Sequence, residues 1–148
     1  WDHWMKLRGG QGLTFAPANA SGIKLAYRAL SRGEVVGIAC DRAVHGQSLE
    51  RTFMGVPTLM PMGAAEMALR TGASLVPVFC LRDGADRYKL CLEPAIEVAK
   101  TNGDEGYTGR DVMALADEMI KVMERYIRDH LEQWMLFQPL WPTLGLPR

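Results

Sequence analysis

The sequence predicts an α/β fold, a mixed sheet flanked by helices, and three observations point there. Two apolar runs without alternation, Val35 to Cys40 and Leu75 to Leu81, have the pattern of strands covered on both faces. Other segments carry apolar residues at three- and four-residue steps, the spacing of helices with one buried face. The two kinds of segment alternate along the chain, which indicates helices layered on a sheet.

Leu13 to Ala16, between Gly12 and Pro17, is a short strand candidate. Asn19 or Ser21 can cap a helix whose face carries Ile23, Leu25, Ala26, Ala29 and Leu30 before Gly33 stops it. Val35 to Cys40 then reads as a central strand ending in the charged pair Asp41-Arg42. A polar loop with Gly46 follows, and Glu50 stands on a strand leading into Phe53-Met54-Gly55. Gly63 to Thr71 is rich in alanine, methionine and leucine, and Gly72 suits its C-terminal stop, so it predicts a short helix. Pro77 cannot donate to a ladder, which puts a strand end, an edge or a bulge within Leu75 to Leu81. Tyr88 to Leu92 pairs back across the turn from Asp83 to Arg87. Asn102 to Gly109 is a polar, glycine-containing loop. The longest helix spans about Arg110 to Gln133, with Val112, Leu115, Met119, Met123 and Ile127 on its apolar stripe. The tail from Trp134 to Pro142 is densely apolar and broken by proline. Core packing, an acyl groove or membrane contact would each use it.

At 148 residues the chain is sized for one domain with a substantial core. Seventeen basic and seventeen acidic residues cancel, so net charge gives no pull toward nucleic acid. No apolar run approaches the roughly 18 residues that span a bilayer. Cys40, Cys80 and Cys91 are odd in number and lie in or beside expected strands, as small buried hydrophobes of a reducing compartment do. No CxxC or Cys/His spacing suggests a metal site. The chain opens on Trp1, as a processed or partial polypeptide would.

Asp41 and Arg42 follow a buried strand, at the lip where open α/β sheets take ligands. The guanidinium can grip a phosphate through two hydrogen bonds; an ion pair closing the strand is the equal alternative. Arg51, Arg70 and Arg82 read as surface charges. His45 and Glu50 have four residues between them, the spacing of a base and an orienting carboxylate, but a chance pair in a polar loop explains them better. No serine has a nucleophile-elbow context, so a small α/β hydrolase is the weakest reading.

In their order, several landmarks carry a resemblance: Arg8 with Gly12, Gly33-Glu34-Val35-Val36, Asp41-Arg42, Phe53-Met54-Gly55, Gly63, Thr71-Gly72-Ala73, Val76-Pro77-Val78, and Glu132 through Trp141. Together they resemble the bacterial lipid A biosynthesis (lauroyl/myristoyl) acyltransferase family of the glycerolipid acyltransferase superfamily. Phosphatidylinositol mannoside acyltransferases share the pattern, and Asp41-Arg42 and the Phe137-to-Trp141 ending are slightly closer to them. The resemblance covers nearly all of the chain but only the later half of the family's domain. It implies that residues 1–148 are the C-terminal portion of a single acyltransferase domain, an αβα sandwich with its N-terminal part missing.

The family's catalytic signature is a histidine separated by four residues from an aspartate, with the histidine as general base on the acceptor hydroxyl. His3, His45 and His130 are not followed by an aspartate at that spacing. The resemblance therefore implies a base outside this chain, with Glu50 as its candidate catalytic partner; a solvated edge charge is the plainer reading of Glu50. Arg8, Asp41 and Arg42 are the candidate substrate-binding residues, holding the anionic handle of the donor.

The implied activity moves a fatty acyl group from acyl-carrier protein or acyl-CoA to a hydroxyl of a membrane glycolipid or lysolipid. It needs no cofactor beyond the donor thioester and no metal. The implied partners are that donor and a membrane lipid acceptor, met by peripheral contact at the cytoplasmic face of the bacterial inner membrane, with no nucleic acid. The alternative is a non-catalytic lipid-binding or assembly module built on the same fold.

Overall fold

A computed structural model describes residues 12–43, 48–97, 106–137 and 140–141. The chain divides into two units, Trp1–Gly37 and Ile38–Arg148.

In the first unit, helix α1 spans Ala20–Ser31. Asn19 caps it, its Oδ1 accepting from the Ser21 and Gly22 backbone N–H groups at 3.0 and 3.2 Å. Gly33, at φ 75°, turns the chain out of the helix. Residues 13–17 are irregular, so the expected strand Leu13 to Ala16 does not form. Among the described residues of this unit there is no sheet for α1 to pack on.

Val35 to Cys40 also departs from expectation. It has no strand partner among the described residues, and Val35 is 97% exposed. A run apolar on both sides becomes a strand only where neighbours satisfy its backbone along both edges.

Among its described residues the second unit holds two antiparallel hairpins and two helices rather than one mixed sheet. Strands β1 (Ser48–Phe53) and β2 (Val56–Pro61) pair from Ser48↔Pro61 to Phe53↔Val56. Their turn places Met54 at φ 53° and Gly55 at φ 80°, the doubly left-handed geometry that matches strand twist. Methionine is unfavoured there, and the Glu124 carboxylate steadies it by accepting the Met54 N–H at 2.6 Å. Helix α2 (Gly63–Thr71) ends at Gly72, φ 70°, as its sequence predicts. Strands β3 (Val78–Arg82) and β4 (Tyr88–Leu92) form the second hairpin, and β3 begins just after Pro77. Helix α3 spans Gly109–Asp129; the Asp111 carboxylate reaches back to the Thr108 N–H at 2.7 Å. A 3₁₀ turn, Leu131–Gln133, follows. The expected single helix to Gln133 breaks at His130, whose ψ of 43° is not helical.

The core of this unit gathers Phe53, Met60 and Met62 with Ala65 and Leu69 of α2 and Leu115, Ile120, Met123 and Ile127 of α3. The tail completes it. Trp134 meets Phe53 edge to face at 6.0 Å, and the Trp141 indole N–H donates to the buried Thr58 hydroxyl at 2.9 Å. Met135 and Phe137 point outward and are exposed. No helix among the described residues is long and apolar enough to cross a membrane.

Candidate functional site

A groove of about 880 Å³ runs between the β1–β2 hairpin and α3. The period-two alternation of β1 turns Phe53 and Arg51 toward α3 and Glu50 to the other face, opposite Leu59. Glu50 nevertheless lines the groove, together with Thr52 and Pro57 from the hairpin. From the other wall come Asp117, Glu118, Lys121 and Glu124, spaced so that one face of α3 presents them.

The groove is acidic. Its two cations are engaged: Arg51 Nε meets Asp117 Oδ1 at 2.7 Å with a second contact from its Nη2, and Lys121 meets Glu118 at 2.6 Å. The Asp117 bond holds the Arg51 guanidinium above its ordinary pKa, so the cation persists. Glu124 accepts from Met54 and from Arg128 at 2.7 Å. Such walls disfavour a phosphate and suit a ligand rich in hydroxyl donors.

Of the sequence-derived site residues, Glu50 lies at this groove, whereas Asp41 and Arg42 line neither it nor the smaller one near α2. They follow the irregular Val35-to-Cys40 segment at a bend, so no strand end positions them. Arg8 and His45 fall outside the described residues. Arg70 is a surface charge as expected, paired with Glu66, and Arg82 lies exposed against the Tyr88 ring. Arg51 is not: it is partly buried and bridges hairpin to helix. Sequence reading missed it because an isolated arginine carries no mark of its partner 66 residues away. The usable signal was its place two residues before Phe53, on the same strand face.

Among the described residues no cluster of His, Cys, Asp and Glu could hold a metal. Burial, and then Asp41, push the Cys40 thiol up to about 11, leaving it a poor nucleophile at neutral pH. Cys80, expected inside, is exposed on β3, because the face it occupies lies away from α3.

The second hairpin is tied to α3 by a polar and aromatic cluster. Phe79 stacks on Tyr126 at 3.8 Å, and the Tyr126 hydroxyl donates to Glu93 Oε1 at 2.6 Å. Arg125 bonds the other Glu93 oxygen. The Tyr126 hydrogen bond, then Arg125, holds the Glu93 carboxyl below its ordinary 4.5, while Glu93 pushes the Tyr126 phenol up to about 12. The carboxylate's contribution to stability is therefore present above pH 4.5 and lost as pH falls through its lowered value. The phenol's contribution is present below pH 10.0 and lost as pH rises through about 12. Melting temperatures of wild type and Glu93→Gln are expected to differ most between these limits and to converge on acidification. A gap that persists undiminished at low pH would remove the ionised carboxylate from the account.

A sequence model of the bacterial lipid A biosynthesis acyltransferases matches residues 2–143. Phosphatidylinositol mannoside acyltransferases of two Mycobacterium tuberculosis strains, CDC 1551 / Oshkosh and ATCC 25618 / H37Rv, are each 30% identical over 112 residues, 76% of this chain and 32% of theirs. The enzyme of that name from Mycolicibacterium smegmatis is 28% identical over 112 residues, 76% of this chain and 34% of its own. The chain thus spans about a third of the length of the curated relatives it matches. With residues 2–143 matched, from before α1 to beyond the Trp141–Thr58 bond, the chain belongs to the bacterial lipid A biosynthesis acyltransferase family.

Proposed function

We propose that the chain forms part of an enzyme that moves a fatty acyl group from a thioester donor to a hydroxyl of a membrane glycolipid, of the lipid A precursor or phosphatidylinositol mannoside type. The observation that carries this reading is the family match over residues 2–143, joined by relatives that share the second of these names. The acidic groove agrees with it, because carboxylate oxygens accept hydrogen bonds from sugar hydroxyls. Arg42, with Asp41 and Arg8, holds the anionic handle of an acyl-CoA or acyl-carrier-protein donor. The acceptor hydroxyl attacks the thioester carbonyl as a histidine outside this chain takes its proton. The tetrahedral intermediate then expels the thiol, which receives that proton. Glu50 is the candidate partner of this imidazolium. Among the described residues the one histidine is His130, which caps α3 beside Tyr126. The enzyme works at the cytoplasmic face of the bacterial inner membrane, where its acceptor lies.

The test is a hybrid in which these 148 residues replace the matching third of the Mycolicibacterium smegmatis enzyme, assayed with labelled acyl-CoA and glycolipid acceptors. Transfer is expected in the hybrid and none from the 148 residues alone. Arg42→Ala should lower transfer about ten- to a hundredfold, the range for losing a hydrogen bond to a charged group, with little change in melting temperature. Turnover by the 148 residues alone would place the base within them, and equal losses of activity and stability would make Arg42 structural.

A further inference from the structure

Glu50 has no hydrogen-bond or ion-pair partner among the described residues, so the placing of its carboxylate is left to its strand. Among those residues β1 has a neighbour on one edge, the β2 ladder, and the two move as one hairpin. What holds the hairpin is α3. Phe53 sinks into the core against it, but apolar contact is non-directional and resists sliding along the helix only weakly. Two directional ties flank that ring in sequence. The Arg51 guanidinium grips both carboxylate oxygens of Asp117, and the Met54 N–H donates to Glu124 Oε1 at 2.6 Å. Their spacings match. Asp117 and Glu124 are about two turns apart on α3, a rise of roughly 10.5 Å, and an extended chain covers roughly 10 Å from Arg51 to Met54. Both ties are therefore made at once, and a slip of one residue, about 3.4 Å, breaks both.

We propose that Asp117 and Glu124 are positioning residues for acyl transfer: their ties to Arg51 and Met54 fix β1 on α3, so that the Glu50 carboxylate stands at the groove where the imidazolium needs it. This rests on the role given to Glu50 in the acyltransferase reading above. Both residues act through Glu50. The Arg51 cation serves the same end, since it is engaged with Asp117 rather than offered to a substrate anion. A tie and a field effect differ in sign. A carboxylate acting at a distance favours the imidazolium, and removing Arg51, the opposite charge, would favour it further. A tie is lost equally from either end.

In the hybrid described above, Asp117→Ala and Arg51→Ala are each expected to lower kcat about ten- to a hundredfold, the scale on which a misplaced catalytic group loses rate, with KM for donor and acceptor within about twofold. The double variant should be no slower than either single one. In a Glu50→Gln background Asp117→Ala should cost less than about threefold, because residues that act through one group are not additive. Glu93→Gln is the control: it loosens the other hairpin from α3 and should lower the melting temperature while kcat holds. Faster turnover in Arg51→Ala than in wild type makes Asp117 a field effect and overturns the inference. So does an undiminished loss from Asp117→Ala in the Glu50→Gln background. A Glu50→Gln hybrid that transfers at the wild-type rate leaves nothing to position, so the inference falls while acyl transfer stands. A second measurement does not depend on the hybrid's folding. In the 148 residues alone, Asp117→Ala should speed hydrogen exchange over 48–53 and leave 63–71 unchanged. Unchanged exchange over 48–53 means that the tie does not hold β1, and sinks the inference whatever the hybrid does.

Discussion

Phe53→Ala is expected to cost about 3–5 kcal/mol, the range for truncating a buried phenylalanine. Phe53 has no exposed surface and stands where the first hairpin, α2, α3 and the tail converge. Its ring edge meets Trp134, so truncation opens a cavity and also frees the tail from the core. Domains of this size are stable by roughly 5–15 kcal/mol, so the loss consumes a large part of the total. The urea midpoint should fall steeply with little change in slope. Phe53→Leu, which keeps most of the volume, should cost far less. A midpoint within error of wild type for the alanine variant would show that the hairpin does not close the core as described.

Gly22→Ala is expected to be the second most damaging change, for a different reason. A methyl group at residue 22 would sit 1.9 Å from the Pro17 carbonyl oxygen, which is backbone and cannot rotate away. The first turn of α1 must open, and the Asn19 cap, which holds the Gly22 N–H, opens with it. Overpacking of this kind costs about 1–3 kcal/mol, and a lost cap adds about 1. The better helix propensity of alanine recovers only part of that. Peptide-level hydrogen exchange should show faster exchange over 20–31 and unchanged protection over 109–129. Unaltered exchange in α1 would mean that the loop from Pro17 to Asn19 yields without effort.

Helices were the legible part of this sequence. Gly33 and Gly72 sit where their left-handed φ is needed, and Asn19 marks a start, so local chemistry set both ends of α1 and the end of α2. The β3–β4 hairpin was legible for the same reason, since Pro77 and the Asp83-to-Arg87 turn bound it. What failed was the inference from apolarity to a central strand. Val35 to Cys40 has the composition of one, but a strand is defined by its neighbours, and the described residues supply none. The Met54-Gly55 turn was obscured because methionine, not asparagine or aspartate, occupies its first left-handed position, and its support comes from Glu124, 70 residues on.

Of the candidate site residues, Glu50 was singled out in the sequence as a partner for a histidine outside the chain, and in the structure it lines the groove. The acidic character of that groove could not be seen there, because Asp117 and Glu124 read as the solvated side of an amphipathic helix. Only the hairpin lying across them turns that side into a wall.

The bond between Trp141 and Thr58 joins positions 83 residues apart. Ribosomes deliver the hydroxyl long before the indole, so the nascent polypeptide carries Met60 and Phe53 beneath an opening that only late-arriving aromatics can shut. Any product cut short ahead of Trp134 would leave that opening permanent and hand proteases a sticky, half-closed body.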